Sequence, residues 1–174
     1  MAIARTTAFP ALAVALGLSL ASGALAAPPE KSVSKTFPLS ATGEVSVKTY
    51  KGSITVRPGN GTQVEITARV EPDGDDSDMA RKVADTEIRF ASGDSYVEVE
   101  SDYGKVKNGF RFFSWGNDGT LPFVHYTITM PRSAKLRIED YKSRISVEGI
   151  AGALKLETYK GTGKLSGFED RVDI

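Results

Sequence analysis

The sequence contains no cysteine. Disulfides, a thiol nucleophile, cysteine-ligated zinc and a lipid-attachment cysteine are therefore excluded, and stability has to come from packed strands or bound partners. Histidine is nearly as scarce, with His125 alone. One imidazole without cysteine does not make a structural zinc site. In "FVHYTITM" the residues Val124, Tyr126, Ile128 and Met130 form one apolar face, which places His125 on the opposite, exposed face with Thr127 and Thr129. Charge of one sign is also missing, since Lys and Arg together number 22 and Asp and Glu number 22. That balance argues against the basic surface a nucleic acid or an anionic membrane requires. No metal, cofactor or catalytic residue is predicted.

The one long apolar run lies at the N-terminus. "MAIARTTAFPALAVALGLSLASGALAA" has a single positive charge at Arg5, an apolar stretch from Phe9 to Leu20, and Ala24 and Ala26 in A-x-A spacing. These features predict a secretory signal peptide over residues 1–26, cleaved after Ala26. The alternative is an uncleaved anchor, because Ala8 to Ala27 is about as long as the roughly 20 residues that span a bilayer. Cleavage leaves no stable membrane span and puts the chain in the periplasm or outside the cell, in a bacterial setting.

Beyond the signal, "APPEKSVS" reads as a polar linker over residues 27–34, and strand patterns dominate residues 35–174. Val45, Val47, Ile54 and Val56 alternate with polar residues, and "YKG" supplies a turn between the two pairs. One short helix is predicted after "EPDGDDSD", capped by Asp76 or Ser77, with Met79 and Val83 on one face up to Asp85. "DYGKVKNG" reads as a turn. The phrase "VSVKTYKGSITV" returns as "LRIEDYKSRISV" and "LKLETYKGTGKL". Alignment matches Val45, Leu136 and Leu154; Val47, Ile138 and Leu156; Tyr50, Tyr141 and Tyr159; Lys51, Lys142 and Lys160; and Val56, Val147 and Leu165. The last two copies are offset by 18 residues, the length of two short strands and two turns, or one coil of a strand solenoid.

This order of paired strands, the strand "YTITMP" leading into "AKLRIED", and the closing run G-x-L-K-L-E-T-x-x-G resemble the bacterial DUF4097 family, also called "putative adhesin" or toastrack domains. The resemblance runs from about Val33 to the C-terminus. It implies an all-β, single-stranded right-handed β-helix or solenoid-like domain, exported or membrane-tethered, with no recognised catalytic residues. Two departures are visible. Gly163 stands where Ile54 and Ile145 stand in the other copies, and "EDRVDI" ends the sequence where relatives usually add coils.

The resulting expectation is a non-catalytic envelope or cell-surface domain, adhesin-like or scaffolding, that binds a protein or envelope partner. Two surfaces are candidates. The loop "GFRFFSWG" holds Phe110, Phe112, Phe113 and Trp115, too many rings for one sheet face to bury, and is expected to act either as an interface or as a plug over the core. The repeated Tyr50, Tyr141 and Tyr159 are expected to form an edge-to-face ladder, or alternatively a flat strip for sugars. The "KLSGFEDRVDI" end is expected to leave strand edges open to limited homo-association.

Alternative functions are a carbohydrate-processing β-helix enzyme, with Asp102, Glu139, Asp140 and Glu157 as candidate carboxylates, and an envelope-stress sensor. Other motifs point nowhere. The acidic run Asp73, Asp75, Asp76, Asp78 fails as a calcium loop because Ala84 falls at the twelfth position, and favourable interaction with a helix start accounts for it. "SVSK" lacks the companion motifs of a Ser-x-x-Lys nucleophile, and "GTGKLSG" has the wrong spacing for a phosphate loop.

Overall fold

The computed structural model describes residues 29–108 and 120–174. The signal at 1–26 and the aromatic loop with Phe110, Phe112, Phe113 and Trp115 lie outside the described residues. Among the described residues ten strands form one mixed sheet: β1 (Lys31–Pro38), β2 (Glu44–Gly59), β3 (Gln63–Glu71), β4 (Glu87–Gly93), β5 (Tyr96–Asp102), β6 (Phe123–Pro131), β7 (Lys135–Glu148), β8 (Leu154–Thr158), β9 (Thr162–Ser166) and β10 (Val172–Asp173). Two small helices, α1 (Met79–Asp85) and α2 (Gly104–Asn108), complete the all-β domain.

The long strands β2 and β7 organise it. In β2 the buried residues are Val45 and Val47 on one arm and Ile54 and Val56 on the other. From Val47 to Ile54 is seven residues, an odd number, so a straight strand of period two would send the second pair to the opposite face. The chain bends instead, and both arms turn their aliphatics into one core. The same spacing recurs from Ile138 to Ile145 in β7 and from Leu156 to Gly163 across β8 and β9. Gly52 makes the first bend possible. Its φ is +135°, and a Cβ there would lie 1.9 Å from the Val124 carbonyl oxygen.

The arms stack in parallel and in register. Val45 faces Leu136, which faces Leu154; Val47 faces Ile138 and then Leu156; Val56 faces Val147 and then Leu165. These are the rows that the repeat alignment predicted. Around this stack the pairing changes character, because β1–β3–β6 and β4–β5 are antiparallel, so the parallel coils are one part of a mixed sheet.

Several expectations need correction. Lys31–Ser34, read as linker, belong to β1 and pair with Thr67–Val70, since the alternation of Ser and Val suits an edge strand. "GKVKN", read as a turn, is α2, with Val106 buried. The residue preceding α1 is Asp78, and neither it nor another side chain caps the helix. The C-terminal run also folds back: Val172 and Asp173 pair with Leu154 and Lys155, Phe168 packs on the core, and Glu169 pairs with Arg132. Outer edges stay unpaired on β9, whose ladder partner is β7 alone, and on the two-residue β10, whose partner is β8 alone.

Candidate functional site

At the bend of each stacked arm the sequence places tyrosine, and the register brings the three together. The rings of Tyr50 and Tyr141 are 4.7 Å apart and 5° from parallel, and those of Tyr141 and Tyr159 are 5.2 Å apart at 21°. Two six-membered rings this close cannot lie side by side in one plane, so they are stacked face to face. The expected edge-to-face ladder is thus corrected, with one exception: Tyr103 meets Tyr50 edge-on, 6.3 Å away at 73°. The rings of Tyr50 and Tyr141 do not lie side by side as a flat strip. Their faces cover one another and present their edges. The outward face of Tyr159, 70% exposed, closes the ladder.

A groove of about 520 Å³ runs beside the ladder. Its walls include Tyr50, Tyr103 and Tyr141 together with the carboxylates Glu100, Asp102, Glu139 and Asp140. β5 brings Glu100 and Asp102, and β7 brings Glu139 and Asp140, because both strands flank the first arm of β2. Beneath it Ser101 Oγ lies 2.7 Å from the Tyr126 hydroxyl and 3.0 Å from Thr49 Oγ1, and the Tyr103 hydroxyl donates to the Pro122 carbonyl at 3.2 Å. Burial pushes the Tyr103 and Tyr126 phenols well above their usual range.

Of the four carboxylates expected for an enzyme, Asp102, Glu139 and Asp140 line this groove and Glu157 does not. Asp102 accepts the Gly104 N–H at 2.7 Å and pairs with Arg89. Glu139 pairs with Arg137 at 2.8 Å, and Glu157 pairs with Lys155 at 2.7 Å on the solvated outer row. Asp140 is a turn-former: its Oδ2 accepts the Ser143 N–H and the Thr158 hydroxyl, each at 2.8 Å. Its Oδ1 is buried without a hydrogen-bond partner.

Past the bend, on the second arm, lies another groove of about 430 Å³. His125 sits there, and it is not simply exposed. Its Nδ1 is 2.8 Å from Ser53 Oγ and its Nε2 is 3.1 Å from Glu71 Oε2. No group of three metal-ligating side chains exists among the described residues. The acidic run has a different task from the one expected at a helix start. Asp73 pairs with the buried Lys51, and Asp76 and Asp78 hold the buried Lys82 at 3.6 and 3.1 Å. Uncompensated buried ammonium groups are costly, so these aspartates are required by packing. Sequence reading missed Tyr103 and Glu100, which come from outside the repeats. It also missed the groove cations Lys142, Arg144 and Lys160, although the repeat alignment did carry the two lysines.

No family model matches the chain, and no curated protein matches it. Among solved structures it is similar to a "putative cell adhesion protein" from Clostridium sporogenes, at 9% identity and a TM-score of 0.42 over 78% of this chain and 59% of that one. It is also similar to a "putative adhesin" from Parabacteroides merdae, at 10% identity and a TM-score of 0.31 over 79% and 53%. A "putative lipid binding protein" from Parabacteroides distasonis matches at 10% identity and 0.27 over 77% and 51%. The chain spans less than two thirds of the length of each of these structures. Similarity this distant settles neither a shared fold nor a shared function. Among the described residues no helix is long and apolar enough to cross a membrane.

Proposed function

We propose that this is an exported, non-catalytic binding domain of the bacterial envelope or cell surface, adhesin-like or scaffolding in role, which holds a protein partner at the tyrosine corner. The DUF4097 resemblance, a right-handed coil and a periplasmic or secreted location are parts of the same proposal. The observation that carries it is the corner itself: stacked tyrosines on a rigid parallel ladder, bordering a groove with Glu100 and Asp140, which form no ion pair among the described residues. Tyrosine edges beside the unpaired Glu100 carboxylate suit an Arg or Lys side chain of a partner, while Asp140 is held by its turn donors, and rigid aromatic anchors are common centres of binding energy.

The test is capture from envelope extracts by the immobilised mature protein, beside thermal unfolding of the same variants. Glu100→Gln and Tyr159→Ser are expected to lose a captured protein while unfolding stays within a few degrees of the parent. Capture unchanged in both variants contradicts the reading.

One observation favours a second reading, a carbohydrate-processing enzyme, because Asp102, Glu139 and Asp140 share a groove. Each is already engaged by a cation or by turn donors, which favours the binding role. Release of reducing ends from envelope polysaccharides, abolished by Asp140→Asn, would reverse that order.

A further inference from the structure

Lys142, Arg144 and Lys160 line the groove on the second arm, and none of them forms an ion pair among the described residues. The groove's carboxylate, Glu71, is already taken by Arg69 at 2.9 Å and His125 at 3.1 Å. The lysines belong to one row. Lys51 faces Lys142 in the ladder, and the 18-residue offset that sets Asp140 beside Thr158 and Arg144 beside Thr162 puts Lys160 on the next rung. Neighbouring strands are about 4.8 Å apart, and like charges on facing positions destabilise a sheet. The fold neutralises the innermost member, since Lys51 is buried against Asp73 with its ammonium 4.5 Å from the Phe123 ring centroid. It leaves Lys142 and Lys160 exposed and without a carboxylate partner among the described residues, with the Lys160 ammonium 5.4 Å from the Tyr159 ring centroid.

The strand that carries two of these cations alternates, with Lys142 and Arg144 exposed and Ser143 buried between them. Ser143 is 3% exposed and borders the same groove, and its Oγ has no hydrogen-bond partner. Its neighbours in the row are glycines, Gly52 on one rung and Gly161 on the other, so no side chain in the row reaches the hydroxyl. A buried hydroxyl left unpaired costs about 1–3 kcal/mol. That hydroxyl is closed to the surface and shares the buried positions of Ile145 and Val147, so the feature that calls for a ligand is the row of like charges, which one multiply charged oxyanion would relieve.

We infer that this groove is a binding site for a phosphate group, with Lys142, Arg144 and Lys160 as its counter-charges. Three cations exceed what a single carboxylate needs and match an oxyanion carrying two charges. The site lies across the bend from the tyrosine groove and stands whether or not that groove binds a partner. The phosphate could be free or borne by a lipid headgroup, and the two sources are separable by experiment.

Inorganic phosphate is titrated into the mature protein, following the backbone amides of Ser143, Arg144 and Thr162, while co-sedimentation is measured with phosphatidylcholine vesicles with and without phosphatidic acid. A saturable response is expected in at least one arm: phosphate alone assigns the free ion, and phosphatidic acid vesicles alone assign the headgroup. Lys142→Gln with Lys160→Gln should weaken it at least tenfold, and Arg144→Gln several-fold. Lys135→Gln, on the other arm, should leave it unchanged. The double lysine variant should also unfold at the same temperature as the parent or higher, because it removes repulsion. No response in either arm, or a response that the lysine and arginine variants leave intact, overturns the inference.

Discussion

Replacing Tyr141 by Ala removes the middle ring of the tyrosine stack. Tyr141 is covered on both faces, by Tyr50 at 4.7 Å and Tyr159 at 5.2 Å, whereas Tyr159 is covered on one face and 70% exposed. Each aromatic contact contributes about 0.5–1.5 kcal/mol beyond area burial, so Tyr141→Ala forfeits about 1–3 kcal/mol from stacking alone. Lost burial of a half-covered ring adds about 1 kcal/mol. The expected cost is about 2–4 kcal/mol for Tyr141→Ala against about 0.5–1.5 kcal/mol for Tyr159→Ala. For a domain of this size, that difference is several degrees in Tm. Urea unfolding of both variants and of a Tyr50/Tyr141 double-mutant cycle measures it, and the cycle should return a coupling of about 0.5–1.5 kcal/mol. Equal costs at the two positions, or zero coupling, would refute the claim that the ladder stabilises the bend.

Gly52→Ala should cost more than about 2 kcal/mol, or prevent folding, because the new Cβ meets the β6 backbone at a φ that L-residues avoid; Gly61→Ala, also at positive φ but with nothing within 4 Å, separates the clash from the backbone strain. Stability should fall at alkaline pH. The folded-state phenol pKa values of Tyr103 and Tyr126 lie above the unfolded value of about 10, so their contribution is complete below that pH and is lost as pH rises past it. Phenolate absorbance should show a late fraction appearing together with unfolding, and Tyr126→Phe should reduce that alkaline sensitivity. For the loop, Phe113→Ser with Trp115→Ser should leave thermal unfolding unchanged and abolish partner capture if the rings are an interface; a large drop in Tm identifies a plug.

The parallel rows were legible in the sequence for a physical reason. In a parallel, in-register ladder, equivalent residues of successive coils share one environment, so Val45, Leu136 and Leu154 are similar because they occupy the same row. The tyrosines were legible as a row for the same reason, although stacking geometry was not, since the choice between edge and face contact depends on ring rotation. Antiparallel neighbours leave no such trace. β1 meets β3 through a register with no repeat in it, and the start of β1 consequently read as linker. Glu100 and Tyr103 reach the groove because β5 pairs with β2 across about 50 residues of chain, a juxtaposition that alternation alone does not encode. The acidic run was legible as unsuited to calcium but not as the counter-charge of Lys51 and Lys82, since nothing in the pattern marks those two lysines as buried.

Both grooves and the tyrosine corner exist only if the three repeats stack in parallel with this register, and a chain without cysteine allows a clean test by engineered disulfide. Thr55 and Ser146 face each other on β2 and β7, at the spacing of about 4.8 Å between neighbouring strands, within the Cα separation a disulfide accepts. Thr55→Cys with Ser146→Cys should therefore oxidise to an intramolecular bridge, visible as a faster-migrating species on non-reducing gels. Thr55→Cys with Glu148→Cys, two residues out of register and about 8 Å apart by the same geometry, should remain reduced. Bridging in the second pair and not in the first would contradict the register, and with it the corner on which the proposed binding role depends.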